Sequence, residues 1–385
     1  MVKVQVLNNI SPLGLDKFSK DIYDVSTRDN DPDAILVRSA KMHELEIGEN
    51  LKAVGRAGAG VNNIPLEKMS DKGVVVFNTP GANANAVKEL VISSMLLASR
   101  NICQAWDYVN NLPLDNLKAT VEDGKKQYSG SELPGKTLGI VGLGAIGVEI
   151  ANAAYTLGMD VLGFDPSITK KNAWKISAEV EEALTIEELF SKSDFVSFHV
   201  PLVDATKNLL NTKRIALLPK GSVVINLSRD GIVDEEALMK ALDSGKVKYY
   251  VTDFPINDKK NHDRVIALPH LGASTSEAED NCAVMIAKQI KDYLENGNIV
   301  NSVNFPDARM PKDGKERLAI THRNIPNMVR QITKAIAEEE ANILDMINKS
   351  RGDFAYTLID LENEISIKAI ENIRRVKGIL TVRAL

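Results

Sequence analysis

The sequence predicts an α/β protein with two parallel-sheet domains, followed by a small C-terminal module with the element order βαββαβ. Strand-like apolar runs alternate with helical patterns over most of the chain, which is typical of βαβ units and a parallel sheet. The length of 385 residues exceeds that of one ordinary domain. An irregular stretch with prolines, at 301–316, separates the C-terminal module from the rest.

Composition excludes several classes of protein. The net charge of -5 disfavours a nucleic-acid or anionic-membrane partner, and 44% hydrophobic with 26% charged residues is typical of a soluble globular protein. The two cysteines, Cys103 and Cys282, lie in separate apolar-periodic stretches, so we expect no disulfide framework or zinc site. The opening "MVKVQVLNNI" alternates like a strand, unlike a signal peptide. We therefore expect a cytoplasmic protein.

The first domain is predicted over 1–100, completed by 285–305. The run "DAILVRSA" predicts a strand, and "NAVKELVISSMLLASR" carries apolar residues at helical spacing. A second domain, 101–284, contains a dense series of strand runs: "TLGIVGLG", "DVLGFDP", "DFVSFHVP", "SVVINLS", "KVKYYVTDF" and "RVIALPH". After them, Ser274 and Glu277 match an S-x-x-E capping box, which predicts the start of a long helix ending at Gly297.

The C-terminal module is predicted over 317–385, with 306–316 as its linker. Its pattern is strand "RLAITH", helix "MVRQITKAIAEEEA", strands "NILDMINKS" and "FAYTLIDLE", a helix around "SIKAIENIRRV" and strand "ILTVRAL". This is the βαββαβ order, and the size suits an independently folding unit.

The glycines Gly142, Gly144 and Gly147 form G-x-G-x-x-G between an apolar strand and a helix. Such glycines let the backbone turn tightly and approach a pyrophosphate, which the N-H groups of the helix N-terminus attract. A second strand ends at Asp165, whose carboxylate can accept the adenosine ribose hydroxyls and would repel a 2'-phosphate. The order predicts a Rossmann-like, doubly wound domain that binds NAD, although Lys170 and Lys171 leave NADP open.

An arginine just past a buried strand, Arg229 in "NLSRDGIVDEEAL", is placed to bind a carboxylate, because ligands of open α/β sheets lie beyond the carboxyl ends of strands. The alternative is a pair with Asp230 or Asp234 on a solvated turn.

Among the histidines, His270 also follows a strand and is the candidate acid/base, with a surface role as the alternative. His199 in "HVP" is interpreted as lining the cofactor pocket. His262 lies in a polar loop, and His43 has no motif around it.

The blocks "VGRAGAGVNNI", "KTLGIVGLGAIG", "HVPL", "NLSRDGIVDEEAL" and "PHLGAST" resemble those of the D-isomer-specific 2-hydroxyacid dehydrogenases, in the same order. The resemblance implies two Rossmann-like domains, Arg229 and His270 as catalytic residues, no metal, and Asp253 at the nicotinamide end of NAD. It further implies that the cofactor contacts Ala145, Ile146, Val200, Pro201, Thr206, Leu227, Ser228 and Gly272.

Within this family the chain resembles the branch that oxidises D-3-phosphoglycerate, the entry step of L-serine synthesis. In that branch the positions of Arg38, Ser39, Arg56, Ala57, Gly58 and Asn83 line the substrate pocket. Lys125 and Lys126 are interpreted as ordinary surface charge. Two alternatives stay open: a dehydrogenase for an unphosphorylated acid such as glycerate, glyoxylate or lactate, and an NADH-sensing corepressor-like binding protein.

One family residue is missing. The family places a glutamate between its strand-end aspartate and the histidine, whereas "TDFPIND" contains none. Asp258 is the predicted partner of His270, with the Asn257 position as the alternative, because a carboxylate would stabilise the imidazolium. Glu277 and Glu279 are next in line.

The C-terminal module resembles an ACT domain, a ferredoxin-like small-molecule sensor. His322, Asn324 and Asn342 stand at positions that hold L-serine in serine-sensitive members, while Asn327 replaces a usual glycine. The alternative is a module used only for dimerisation. The resemblance implies a homo-oligomer, either a dimer or a tetramer.

Overall fold

The computed structural model describes residues 1–29, 31–113, 115, 117–256 and 262–385. The chain divides into two compact units, one formed by Met1–Ala82 with Glu279–Leu385 and the other by Asn83–Ala278. The first boundary therefore lies after residue 82, earlier than the predicted 100, and the second lies at 278/279, earlier than 284/285. The C-terminal module clusters with the N-terminal residues in the first unit.

The N-terminal part of the first unit contains a five-stranded parallel sheet in the order β2-β1-β3-β4-β5. The strands are short and mainly buried, as expected for a sheet covered on both faces. Its elements are β1 (Val2–Val6), α1 (Pro12–Leu15), β2 (Tyr23–Ser26), β3 (Ala34–Val37), β4 (Ala53–Arg56), α2 (Leu66–Asp71) and β5 (Val75–Phe77).

The second unit contains a seven-stranded parallel sheet in the order β12-β11-β10-β9-β6-β7-β8. The strand order reverses at β6, so the ends of β6 and β9 flank the crevice where ligands of doubly wound sheets bind. The helices are α3 (Ala84–Arg100), α4 (Ile102–Asn110), α5 (Leu117–Gly124), α6 (Ala145–Thr156), α7 (Lys170–Ala173), α8 (Ile186–Lys192), α9 (Thr212–Leu217) and α10 (Glu235–Asp243). The strands are β6 (Thr137–Val141), β7 (Asp160–Phe164), β8 (Glu181–Glu182), β9 (Phe195–Phe198), β10 (Ser222–Asn226), β11 (Val247–Thr252) and β12 (Val265–Ala267).

Helix α11 (Ser276–Asn296) is the predicted long helix, and Gly297 ends it with φ 71°. Its start differs from the prediction: the hydroxyl of Thr275 accepts the N-H of Ala278 at 3.1 Å, whereas Ser274 hydrogen bonds to the carbonyl of His270 at 3.4 Å. The predicted Ser274 capping box was therefore wrong by one residue. Within the described ranges, no helix is both long enough and apolar enough to cross a bilayer.

The C-terminal module has the predicted βαββαβ order and an antiparallel sheet in the order β14-β15-β13-β16. Helices α12 and α13 cover one face through a core that includes Ile320, Ile332 and Ile373. The module consists of β13 (Glu316–Arg323), α12 (Met328–Ala337), β14 (Ile343–Arg351), β15 (Phe354–Leu361), α13 (Ile367–Arg374) and β16 (Ile379–Ala384).

The other face of the module's sheet packs on the rest of the first unit. Ala319, Tyr356 and Leu358 belong to the same buried cluster as Phe77 and Tyr293. The phenolic O-H of Tyr356 donates to the carbonyl of Gly297 at 2.6 Å. One continuous core therefore holds the module, α11 and the N-terminal sheet together.

The predicted linker, 306–316, is packed into this unit. Ala308 and Met310 are 1% and 4% exposed, and Ala308 exchanges backbone hydrogen bonds with Ile299. Its prolines and charged residues are typical of a solvated linker, but its carbonyls are bound by an arginine of the module.

That arginine, Arg317, is fully buried and pairs with fully buried Asp360. Its Nε and one Nη donate to the two carboxylate oxygens at 2.5 and 2.6 Å. The remaining N-H groups donate to the carbonyls of Asn296, Met310 and Pro311 at 2.9, 3.0 and 2.6 Å. All five guanidinium N-H groups thus have an acceptor.

Candidate active site

The glycine loop lies between β6 and α6, at the switch point of the seven-stranded sheet. Gly142 has φ 95°, and a Cβ on Gly147 would lie 2.0 Å from the carbonyl oxygen of Gly142. A Cβ on Gly144 would meet nothing within 4 Å, and no side chain caps the first turn of α6, where Ala145 and Ile146 lie. Open space thus faces free N-H groups at a helix N-terminus, which suits a pyrophosphate.

Asp165 follows β7 and is held by two backbone N-H groups. Its carboxylate oxygens accept from Leu143 at 2.9 Å and from Ser167 at 2.9 Å. This fixes the carboxylate beside the glycine loop, as recognition of a ribose requires. The donors and acceptors of this strand edge therefore fit a dinucleotide.

The loop after β9 carries further predicted cofactor residues. The hydroxyl of Thr206 hydrogen bonds to the carbonyl of Pro201 at 2.5 Å and accepts the N-H of Val203 at 2.8 Å. There is no room for a side chain at Gly142, because a Cβ would lie 2.6 Å from the carbonyl of His199 and 2.8 Å from Val200. The two loops therefore approach each other closely at the switch point.

His199 is a neutral histidine in this arrangement. Its Nε2 hydrogen bonds to the hydroxyl of Ser197 at 2.8 Å. Burial lowers the pKa of His199 to about 3 from its ordinary 6.5. With a pKa far below 7 the imidazole is a weak base and is not protonated near pH 7, so it is poorly matched to acid/base catalysis there. This supports the interpretation that His199 lines the pocket.

Arg229 is exposed just beyond the end of β10. The side-chain amide of the buried Asn226 donates to the carbonyl of Arg229 at 2.8 Å, and its oxygen accepts from the Ser228 hydroxyl at 3.0 Å. The guanidinium donates once, to the carbonyl of Ser228 at 2.6 Å. In the described residues it has no carboxylate partner, and neither Asp230 nor Asp234 pairs with it.

His270 is exposed after β12 and has φ 55°, an unusual conformation for a residue with a side chain. The buried Asp253 holds the next two residues: its oxygens accept the N-H groups of Leu271 at 3.0 Å and Gly272 at 2.8 Å. A Cβ on Gly272 would lie 3.0 Å from that carboxylate. Asp253 is expected to contact the cofactor. In the structure, its carboxylate fixes the loop that carries His270.

The ring of His270 contacts Phe254 edge-on, with centroids 5.1 Å apart. Among the described residues its ring nitrogens have no hydrogen-bond partner. The predicted partner Asp258 and its alternative Asn257 lie outside the described residues.

The reserve candidates for that partner are engaged elsewhere. Glu279 pairs with Arg38 at 2.6 Å, and Glu277 accepts from the Ser276 hydroxyl at 3.2 Å.

In the first unit, the predicted substrate residues follow the adjacent strands β3 and β4. The Nε of Arg56 donates to the carbonyl of Arg38 at 3.1 Å. Gly58 has φ 151°, and a Cβ there would lie 2.4 Å from the Arg56 guanidinium, so this glycine lets the arginine fold over the loop. Ser39 accepts from the Asn8 amide at 2.9 Å, and Ala57 donates its N-H to the carbonyl of Val37 at 2.8 Å.

Asn83 lies in the second unit, directly before α3. Its side-chain oxygen is buried and has no hydrogen-bond partner in the described structure.

Sequence reasoning missed two asparagines that shape these loops. Asn8 accepts the backbone N-H of Arg38 at 2.9 Å, and Asn226 holds both ends of the Arg229 turn. Each stands at or just after the end of an apolar strand, a signal that could have identified it.

The three predicted effector residues do not converge within one copy of the chain. The Asn324 amide donates to the carbonyl of Gly352 at 3.0 Å, whereas Asn342 donates to Glu362 at 3.3 Å. Strand pairing places Gly352 and Glu362 at opposite ends of the β14–β15 hairpin. Within one copy of the described chain, Asn324 and Asn342 therefore do not lie together.

His322 is buried, 2% exposed, with both ring nitrogens engaged. It hydrogen bonds to the carbonyl of Arg323 at 2.8 Å and to the Thr357 hydroxyl at 2.9 Å, and burial lowers its pKa. Asn327, the departure from glycine, has φ 67° before α12. Asparagine tolerates this left-handed conformation better than other side chains, which explains why it can replace glycine here.

Comparisons with known proteins agree with this geometry. Residues 92–272 match the family model for the D-isomer specific 2-hydroxyacid dehydrogenase, NAD binding domain. A D-3-phosphoglycerate dehydrogenase of Methanocaldococcus jannaschii is 35% identical over 92% of this chain, which spans 66% of that enzyme's length. One of Haemophilus influenzae is 34% identical, with 89% of this chain and 83% of that enzyme covered.

Among solved structures, an NAD+-bound 3-phosphoglycerate dehydrogenase of Entamoeba histolytica is similar to this chain. The TM-score is 0.63 at 30% identity, with 79% of this chain and 98% of the other covered.

Proposed function

The chain belongs to the D-isomer specific 2-hydroxyacid dehydrogenase family, and from this premise we propose that it oxidises D-3-phosphoglycerate to 3-phosphohydroxypyruvate with NAD+. The observation that carries the proposal is that an exposed arginine, Arg229, and an exposed histidine, His270, both follow strands at the carboxyl edge of one sheet. The glycine loop of the same sheet suits NAD. Relatives named D-3-phosphoglycerate dehydrogenase support the choice of substrate.

The proposed chemistry is a proton transfer by the protein coupled to hydride loss. Arg229 binds the substrate carboxylate and polarises the oxygen on C2, for which its uncommitted N-H groups are available. His270 takes the proton from the C2 hydroxyl and returns it in the reverse direction. NAD+, when bound, accepts the hydride that leaves C2. Asp253 keeps the histidine loop in place.

We propose that Arg38 and Arg56 of the first unit bind the phosphate of the substrate. They lie at the ends of neighbouring parallel strands, where Val37 pairs with Arg56. Arg38 is ion-paired with Glu279 at 2.6 Å, so a phosphate would compete with that carboxylate. Arginine suits the role because its planar fork matches phosphate oxygens.

The decisive experiment compares NADH oxidation with 3-phosphohydroxypyruvate and with unphosphorylated hydroxypyruvate. We expect Arg56→Gln to lower kcat/KM for the phosphorylated substrate by about 10- to 100-fold, the loss of hydrogen bonds to a charged group. It should leave the unphosphorylated substrate nearly unaffected. Equal kcat/KM of the wild type on both substrates would contradict the phosphate assignment and favour an unphosphorylated 2-hydroxy acid.

A matched pair of variants tests the catalytic assignments. His270→Asn should lower kcat by about 10²- to 10⁴-fold, as expected for loss of a general base. His262→Asn is the control, because His262 hydrogen bonds to Asp243 at 3.2 Å in another loop and should leave kcat unchanged. Equal activity of both variants would remove His270 from the mechanism.

We also propose that the C-terminal module senses L-serine at a site shared by two copies of the chain. Strand β14 is an edge strand, and its side chains are largely exposed. Antiparallel pairing of two β14 strands would bring Asn342 of one copy towards Asn324 of the other, since these residues stand at opposite ends of the hairpin. This arrangement reconciles the predicted effector residues with their separation in one copy, and it implies a homo-oligomer.

Serine titration of the dehydrogenase assay tests this site. We expect millimolar L-serine to inhibit the wild type, Asn342→Ala to abolish the inhibition, and Asn363→Ala to retain it. Asn363 is a suitable control because it is exposed and contacts only Lys315 in the described structure, at 3.1 Å. Absence of inhibition in the wild type would favour a module used only for dimerisation.

A further inference from the structure

A cavity of about 570 Å³ lies within the first unit, between its N-terminal part and the C-terminal module. Residues 49–52 and Gly73 line one side, Tyr293 and Leu294 of α11 line another, and residues 379–385 with Arg374 form the third. This volume is in the range of small-ligand sites. The proposed catalytic residues Arg229 and His270 are not among the residues that line it.

Two arginines of the module line this cavity without a carboxylate partner among the described residues. Arg374 makes one hydrogen bond, donating to the carbonyl of Val382 at 3.2 Å. Arg383 donates to the carbonyl of Tyr293 at 2.9 Å and lies over the Tyr293 ring, 4.1 Å from its centroid. Since a guanidinium has five N-H groups, both retain donors that an anion could accept.

The lining carries charges of both signs. Lys52 also lines it and is paired with Asp33, while Glu49 is the one acidic side chain in the lining that the structure describes. Arg374 and Arg383 are the arginines of this lining, and neither has a carboxylate partner in the part of the chain that the structure describes. Leu51 and Ile379 add apolar surface that the carbon part of a ligand could contact.

We propose that this cavity binds a small organic anion through its phosphate or carboxylate group, with Arg374 and Arg383 as the anchoring residues. Arg383 is already oriented by Tyr293, so less side-chain freedom is lost when it binds. A ligand here contacts the N-terminal part, α11 and β16 together. Its binding therefore stabilises the packing of the module against the rest of the first unit.

Calorimetric titration with inorganic phosphate, and separately with malonate, tests the site and distinguishes phosphate from carboxylate ligands. The titrations are made on the Arg56→Gln variant, which lacks one phosphate contact of the proposed substrate site. We expect a binding event that Arg374→Gln weakens about tenfold or more, the loss of charge-assisted hydrogen bonds. Binding of malonate at Arg229 would be unchanged by Arg374→Gln, which separates the two sites. Arg374 suits the test because its single bond stays within the module, so the variant should keep its thermal midpoint without ligand.

Arg375→Gln is the matched control, since Arg375 is 77% exposed and pairs with Glu371 at 3.8 Å on the same helix. It should bind both anions as its parent does. No heat of binding for either anion at millimolar concentration would overturn the proposal, and so would equal weakening by the two variants. Because the readout is binding in a chain lacking Arg56, the result is independent of whether D-3-phosphoglycerate is the substrate.

Discussion

Two arginines lie in opposite environments. Arg317 lies where the C-terminal module packs on the rest of the first unit, and Arg229 lies just beyond the end of β10 in the second unit. Arg317 is fully buried, and its five N-H groups donate to Asp360 and three carbonyls. Arg229 is exposed and, among the described residues, donates once, to the carbonyl of Ser228. A guanidinium with every donor satisfied can only support the fold, whereas one with free donors can bind a ligand.

The histidines of the second unit differ in the same way. His199 is bonded to Ser197 and stays neutral, while the ring of His270 is exposed and has Phe254 as its aromatic neighbour. The loop around His270 is nevertheless held through its backbone by Asp253. The proposed catalytic side chains are thus exposed, while the backbone that carries His270 is fixed.

Replacing each arginine by methionine should give the largest difference between a structural and a catalytic role. Arg317→Met leaves the Asp360 carboxylate buried and unpaired, so the free energy of unfolding should fall by about 3–5 kcal/mol. Arg229→Met, an exposed change, should alter it by less than about 0.5 kcal/mol while removing dehydrogenase activity. Urea unfolding and kcat for both variants measure the contrast.

The double variant Arg317→Met with Asp360→Leu is the control, because apolar replacement of a buried ion pair is often nearly neutral. It should recover most of the lost stability. A double variant as unstable as Arg317→Met would mean that the hydrogen bonds to the carbonyls of Asn296, Met310 and Pro311 and from the N-H of Asp313 to Asp360 dominate.

Asp253→Asn should show how much of the activity depends on the backbone hydrogen bonds that hold the His270 loop. An amide keeps one acceptor but turns its NH2 towards a backbone N-H, so stability should fall by about 2–3 kcal/mol. Displacement of the His270 loop should lower kcat by about tenfold or more. Asp263→Asn, an exposed change in the preceding loop, should alter neither quantity. Unchanged kcat in Asp253→Asn would show that the loop keeps its position without the carboxylate.

His199 should make stability fall in acid, unlike an exposed histidine. Its folded pKa is lowered to about 3, whereas the unfolded chain binds a proton near the ordinary pKa of 6.5. Stability from this residue is therefore present above about pH 6.5 and is lost as the pH falls towards 3, amounting to about 1–2 kcal/mol between pH 7 and 5. His199→Gln should flatten that decline in urea unfolding. An equal slope in the wild type and His199→Gln would contradict the lowered pKa of His199.

Local patterns predicted the fold well, because strand alternation, glycine spacing and helix signals are written in neighbouring residues. The strand–glycine–helix order around Gly142 and Gly144 was predicted for this reason, and the structure has β6, the glycine loop and α6 in that order. The pair of Arg317 with Asp360 joins residues that are distant in the chain, so no local pattern marks it. The segment 306–316 was misread for the same cause: its composition is that of a linker, and only the distant arginine explains its burial.

The predicted effector residues remain a prediction, and strand register limits how they can form one site. Resemblance assigned His322, Asn324 and Asn342 to one site, but strand pairing places the two asparagines at opposite ends of a hairpin. Positions in a sequence block carry no information on which copy of the chain supplies each residue.

The edge contact between Phe254 and His270 should give the smallest effect and the finest test of how the free histidine is held. Such a pair contributes about 0.5–1.5 kcal/mol, so Phe254→Leu should lower kcat by about two- to tenfold with little change in KM. Phe254→Tyr keeps the ring and should restore kcat, which a general packing defect would not predict. Since the ring centroids lie 5.1 Å apart, the pH dependence of kcat should shift in Phe254→Leu if the contact also orients the imidazole. Wild-type kcat in Phe254→Leu would mean that the backbone, through Asp253, is sufficient to place His270.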